Sequence, residues 1–125
     1  MSESPPALVD KFKTLLPSVR LINAYGAAEV AGLVCMGEVT SAHDISVGSA
    51  LPGCTIYVLD DNQRPVRRGA VGEVYVGGAQ LANGYVRDPG LTAERFIRDP
   101  FKSDGSLIYR TADSAESLAD GRILY

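Results

Sequence analysis

The chain has 125 residues, 12 of them Lys or Arg and 15 Asp or Glu, for a formal net charge of −3. That length carries one small domain's worth of core, and the mild negative balance gives no electrostatic case for a nucleic-acid partner or an anionic membrane surface. At 46% hydrophobic and 22% charged the composition excludes wholesale disorder, and 13 Gly with 7 Pro exclude a plain helical bundle in favour of a turn-rich, strand-rich chain.

The first predicted element is a helix. Ser4 is placed to cap it, Pro5 suits its first position, and Leu8, Val9, Phe12, Leu15 and Leu16 recur at helical spacing until Pro17 stops it. No basic stretch followed by an apolar one opens the chain, so no secretory signal is expected. No apolar run approaches the roughly 18 residues that span a bilayer. Cys35 and Cys54 lack the spacing of a zinc site and accompany a single His43. A cytoplasmic setting is expected, with both cysteines buried as small hydrophobes.

Val19 to Ala24 follows as a short strand that breaks at Tyr25-Gly26. Ala27 to Met36 is small and apolar, and fits a short helix, a buried strand, or one followed by the other. Gly37 to Gly53 has no period and is expected to be a loop. After Pro52-Gly53 the texture turns to strands: Thr55 to Leu59, then Gly72 to Val76, across a polar connection with Pro65 and Gly69. Asp88 to Phe96 fits a second helix, with Asp88 as cap and Pro89 at its first position. Leu107 to Thr111 and Gly121 to Tyr125 complete the strands. The apolar ending Arg122-Ile123-Leu124-Tyr125 suggests a piece of a larger protein.

Taken one at a time, the polar residues have ordinary structural readings. Asn23-Ala-Tyr25-Gly26 is a strand end, Glu29 a surface acid, and Asp113 a turn residue that satisfies backbone donors. There is no G-x-x-x-x-G-K-[ST] phosphate loop, and one His gives no credible Ser/His/Asp arrangement. No catalytic residue is assigned.

The order of motifs is more specific. Asn23-Ala-Tyr25-Gly26-Ala-Ala-Glu29, then GEVYVGGAQLANGYVRDPGLTAERFIRDPF from Gly72 to Phe101, then Tyr109-Arg110-Thr111-Ala112-Asp113, then Asp120-Gly121-Arg122-Ile123-Leu124-Tyr125 resembles the AMP-forming adenylation superfamily of acyl-CoA synthetases and luciferases. It looks most like the adenylation domains of nonribosomal peptide synthetases, over roughly residues 19 to 125.

The resemblance implies a mixed α/β fold: residues 1–50 as the end of an αβ-layered subdomain with the Asn-Ala-Tyr-Gly turn, and residues 51–125 as a β-rich, distorted-barrel subdomain. It implies ATP or AMP as cofactor. Tyr25 would lie against adenine with its hydroxyl left wet, Asn23 and the backbone of Ala24 near the adenine amino group, and Gly26 would let the backbone turn close beside the nucleotide. Asp113 would accept the ribose hydroxyls, and Glu29 would be the magnesium ligand. Tyr125 matches an aromatic of the family, with no role assigned.

Several motif positions depart from the family's pattern. Ala27-Ala28 stands for Pro-Thr, removing a hydroxyl near the phosphate. Ala112 stands for a Gly, which could strain a tight turn, and Ser114 for a Leu that would be an apolar anchor. Leu124 stands for a Glu. The family's triphosphate-holding loop lies upstream of the matched region and its catalytic Lys downstream, so the chain alone is expected to be inactive. The implied function is a partial adenylation domain whose parent activates a carboxylate, an amino acid most of all, as acyl-AMP. The alternative is a degenerate, non-catalytic interaction or binding module. Implied partners are nucleotide, the remaining parts of a synthetase and, through an uncovered helix face or terminal strand, a second copy of the chain.

Overall fold

A computed structural model describes residues 5–125. Ser4, expected to cap the first helix, lies outside the described residues.

Helix α1 (Pro6–Leu15) begins after Pro5, whose backbone is extended, so Pro6 takes the first helical position that the sequence suggested for Pro5. A proline is tolerated there because that N–H would have no partner in any case. Leu16 N donates to Phe12 O at 2.8 Å to close the last turn. Of the expected apolar face only Val9 is buried; Leu8, Leu15 and Leu16 are 58%, 65% and 47% exposed.

The first sheet is antiparallel, in the order β1 (Ile22–Ala27), β2 (Gly32–Glu38), β3 (Ser49–Ala50). β1 starts at Ile22 rather than Val19 and does not break at Tyr25-Gly26. It runs through them with a bulge, the register moving from Tyr25↔Cys35 to Gly26↔Leu33. Gly26 is needed because a Cβ there would collide with the carbonyl oxygen of Gly32 on the paired strand. Its first role is therefore close approach between strands. The stretch after β1 is a 3-10 turn, Ala28–Val30, with Ala31 left-handed at φ 57°, and then β2. Of the open possibilities for Ala27 to Met36, a short helix followed by a strand is the one realised. β3 interrupts the segment expected to be all loop.

The second sheet follows the expected strands closely: β4 (Cys54–Leu59) pairs with β5 (Val71–Gly78) in a hairpin register that sets Tyr57 opposite Tyr75. Helix α2 (Pro89–Arg95) is capped by Asp88, whose carboxylate accepts from Leu91 N at 3.0 Å. Phe96, expected as the last helical residue, instead opens β6 (Phe96–Arg98), because its ring is drawn into the core opposite Tyr109. β7 (Leu107–Ser117) runs well past Thr111 and carries β5 on one edge and β6 and β8 (Ile123–Leu124) on the other.

β8 has a partner on both sides, contrary to the expectation of an open terminal strand. Beyond its pairing with β7, Val47 N donates to Ile123 O at 2.8 Å and Ile123 N to Gly48 O at 3.0 Å. Ile123 is buried as a result. One hydrophobic cluster spans both sheets, from Tyr25, Val30, Val34 and Cys35 to Val74, Val76, Phe96, Tyr109, Ala115 and Ile123. Fully burying each aliphatic side chain is worth about 1.5–3 kcal/mol. Cys35 is buried, and burial pushes its thiol up to about 11; Cys54 is only half-buried, because it opens β4 at the edge of the core. The architecture is mixed α/β, a helix and a short sheet followed by a curled antiparallel sheet. Among the described residues no helix is long and apolar enough to cross a membrane.

Candidate functional site

Tyr25 leaves β1 at the bulge with its ring in the shared core, 3% exposed. Its hydroxyl donates to Oδ2 of Asp113 at 2.6 Å. The Tyr125 ring lies 5.3 Å from the Tyr25 ring, tilted by 41°, and its hydroxyl donates to Oδ1 of the same carboxylate at 3.4 Å. The expectation that the Tyr25 hydroxyl stays wet is therefore corrected. Burial first, and the Asp113 carboxylate second, raise its pKa well above the usual phenol value.

Asp113 reaches Tyr25 because β7 is bulged. Register runs from Tyr75↔Arg110 to Glu73↔Ser114, so Thr111, Ala112 and Asp113 together oppose Val74. The extra backbone is held by side chains. Thr111 Oγ1 donates to Val74 O at 2.7 Å and accepts from Asp113 N at 3.0 Å. Glu73 accepts from Ala112 N at 3.1 Å and from Arg110 Nε at 2.8 Å. Ala112 itself sits at φ 64°, in the left-handed region that favours glycine, as the sequence comparison at that position suggested. Ser114 is exposed, so the position expected to hold an apolar anchor faces solvent here.

Asn23 lies two residues before Tyr25 and so on the same face of β1. Its amide Nδ2 donates to Ser46 O at 3.2 Å. Ser46 is buried, and its hydroxyl accepts from Arg122 Nη1 at 3.1 Å, while Arg122 also pairs with Asp44 at 2.6 Å and Asp120 at 2.7 Å. Asn23 is thereby tied to the turn before β8. Ala24 stands opposite Met36 in the β1–β2 ladder.

Glu29 lies on the 3-10 turn in a second cluster. Its carbonyl oxygen accepts from Ala82 N at 2.8 Å, and Oε1 of its side chain accepts from the Tyr85 hydroxyl at 2.7 Å. The Tyr109 hydroxyl lies 3.5 Å from that of Tyr85. Partial burial works to raise the Glu29 carboxyl, but the hydrogen bonds, that from Tyr85 foremost, outweigh it and hold the group below its ordinary range. Glu29 is therefore ionised at neutral pH. Among the described residues no three His, Cys, Asp or Glu side chains gather to cage a metal. A single ionised carboxylate fits magnesium in the way that ion is commonly held, by one protein oxygen with phosphate oxygens and water completing the shell.

Sequence reasoning gave no role to Tyr85, Tyr109 or Tyr125, although all three lie within the motif blocks. Their signal is position: each is a tyrosine inside a matched block, and the hydroxyls of Tyr85 and Tyr125 meet Glu29 and Asp113, while that of Tyr109 meets Tyr85.

The family described as AMP-binding enzyme matches residues 1–86. Novobiocin biosynthesis protein H of Streptomyces niveus is 42% identical over 122 residues, which is 97% of this chain and 20% of that protein. A probable non-canonical nonribosomal peptide synthetase, CymA, of Salinispora arenicola (strain CNS-205) is 43% identical over 119 residues, 95% of this chain and 2% of its own length. The chain thus spans at most about a fifth of these relatives. Among solved structures, holo-AB3403, a four-domain nonribosomal peptide synthetase bound to AMP and glycine, superposes with a TM-score of 0.88 at 34% identity, covering 99% of this chain and 9% of that one.

Proposed function

We propose a function from one premise, that the chain belongs to the AMP-binding enzyme family. It is part of an adenylation domain whose parent activates a carboxylate with ATP, the carboxylate oxygen attacking the α-phosphorus to give an acyl-adenylate and release pyrophosphate. The similarity to peptide synthetases, one of them described with AMP and glycine bound, favours an amino acid as the acid. Residues 1–50 belong to the end of one subdomain and residues 51–125 to the β-rich one that follows.

The observation that carries this reading is the meeting of Tyr25 and Asp113 at 2.6 Å from positions 88 apart. Two residues that the resemblance assigns to one nucleoside lie side by side. In this reading the Tyr25 ring supports the adenine, and Asn23 and the Ala24 backbone face its amino group. The bulge built by Thr111 and Glu73 presents Asp113 to the ribose diol. Glu29 takes the magnesium ion, whose chemistry when bound is to neutralise phosphate charge as it develops. The chain by itself does not catalyse amino-acid-dependent pyrophosphate exchange, since it carries neither the family's triphosphate loop nor its lysine.

A second reading, a non-catalytic binding module derived from the same family, draws support from Ala112, where a left-handed backbone carries an alanine. Titration with AMP, followed by NMR, tests both. Weak binding, on the order of millimolar or about −4 kcal/mol, is expected, with shifts centred on Asn23, Tyr25 and Asp113. Shifts elsewhere, or none at saturating AMP, overturn the nucleotide site; pyrophosphate exchange by the pure chain overturns the claim of inactivity.

A further inference from the structure

We propose that Tyr85 is a positioning residue for Glu29, holding that carboxylate in the orientation from which it takes a divalent cation; this rests on the metal role of Glu29 proposed above. The 3-10 turn that carries Glu29 is already docked to the second sheet by its own backbone, through Ala82 N and Glu29 O at 2.8 Å. The contact from Tyr85 to Oε1 is therefore not what attaches the turn. What it adds is a fixed rotamer for a side chain that otherwise turns about three bonds.

The local sequence is built to hold that hydroxyl still. Gly84, at φ 139°, lies where a Cβ would run into the Thr92 side chain. The close approach lets Tyr85 N donate to Thr92 Oγ1 at 2.8 Å, and Thr92 Oγ1 in turn donates to Asp88 O at 2.8 Å, at the capped start of α2. The Tyr85 ring stands edge-on to buried Phe96, with centroids 5.5 Å apart and planes at 75°. The single Tyr85 proton goes to Glu29 at 2.7 Å, which leaves the buried Tyr109 hydroxyl, 3.5 Å from the Tyr85 oxygen, to act as donor between the two phenols. Two hydroxyls, one on each of two rigid supports, thus stand behind one carboxylate. Partners of this kind set both the direction and the charge of a metal ligand.

The test is a Mn2+ titration of the chain in the presence of ATP, read by paramagnetic broadening of the amides of Ala28 to Ala31 and Ala82, with thermal midpoints and metal-free ATP shifts measured in parallel. For the wild type, broadening centred on Glu29 and lost in Glu29→Gln is expected. Tyr85→Phe should weaken the Mn2+ response by about tenfold, with metal-free ATP shifts unchanged. Tyr109→Phe should produce a smaller loss of the same sign, and it serves as the readout if Tyr85→Phe does not fold. Wild-type Mn2+ affinity in both tyrosine variants, even with lowered thermal midpoints, overturns the positioning role alone. No broadening near Glu29, or broadening that persists in Glu29→Gln, overturns the metal role and the inference together.

Discussion

Asp113 accepts the Tyr25 hydroxyl at one carboxylate oxygen, 2.6 Å away, and the Tyr125 hydroxyl at the other, 3.4 Å away. Two neighbouring hydroxyls on one carboxylate are the pattern a ribose diol would offer. The proposed nucleoside must therefore compete with the protein's own tyrosines for Asp113, and the Tyr25 ring must move out of the core to offer a face to adenine.

That competition has a measurable consequence. Tyr25→Phe keeps the ring and deletes the competing donor, and a hydrogen bond to a charged group is worth about 1.5 kcal/mol or more. AMP affinity is expected to rise by up to about tenfold, while the free protein loses about 1.5 kcal/mol of stability. Asp113→Asn should lose AMP binding. Calorimetric titration of the three proteins decides it; weaker AMP binding by Tyr25→Phe would show that the hydroxyl serves the ligand rather than opposing it.

A second expectation concerns the β7 bulge. An alanine in the left-handed region costs about 1–2 kcal/mol, against the 0.5–1 kcal/mol that glycine's extra freedom costs on folding. Ala112→Gly should therefore stabilise the chain by about 0.5–1 kcal/mol, while Thr111→Val, which strips the bulge of its two hydrogen bonds, should cost about 2 kcal/mol. Urea unfolding measures both. Destabilisation by Ala112→Gly would mean that the bulge relies on the alanine methyl.

These residues also show what was legible beforehand. The β4–β5 hairpin and the Asp88 cap were readable because alternation, turn residues and capping act within a few positions. The run of β1 through Tyr25-Gly26 was not, because the pressure on Gly26 comes from Gly32 on the paired strand. Phe96 fitted a helical period until Tyr109 and the core drew it into β6. At the site, the motifs named Tyr25, Glu29 and Asp113. They were silent on the bond between Tyr25 and Asp113, because a hydroxyl's partner is set by tertiary approach over 88 positions.

Alkaline pH should weaken the fold through its tyrosines. Burial, then the hydrogen bond and charge of Asp99, pushes Tyr57 up to about 12, and Tyr25, Tyr75, Tyr85 and Tyr109 are also raised from 10.0. The folded state thus holds these protons more tightly than the unfolded chain does. Their contribution is complete below the unfolded value of 10.0 and is lost as pH rises above it, that of Tyr57 as pH climbs through 12. Phenolate absorbance should lag in the folded protein relative to the urea-unfolded chain, with the unfolding midpoint falling over the same interval. Superimposable titrations of the two states would refute it.

The last expectation is self-association through α1. The helix buries Val9 fully and Phe12 in part, while Leu8, Leu15 and Leu16 present an apolar stripe to solvent. The other candidate surface is gone: the outer edge of β8, which could have templated pairing with another chain, is filled by Val47 and Gly48. An uncovered helix face is most simply closed by its own copy across a two-fold axis. Light scattering over a dilution series should show a monomer–dimer equilibrium for the wild type, and Leu15→Asp, which places a charge in the stripe without touching the core, should shift it toward monomer. Leu124→Asp, on the strand that is already paired, should leave the equilibrium unchanged where the chain remains folded. If wild type and Leu15→Asp are both monomeric at high concentration, α1 carries its exposed leucines without a partner.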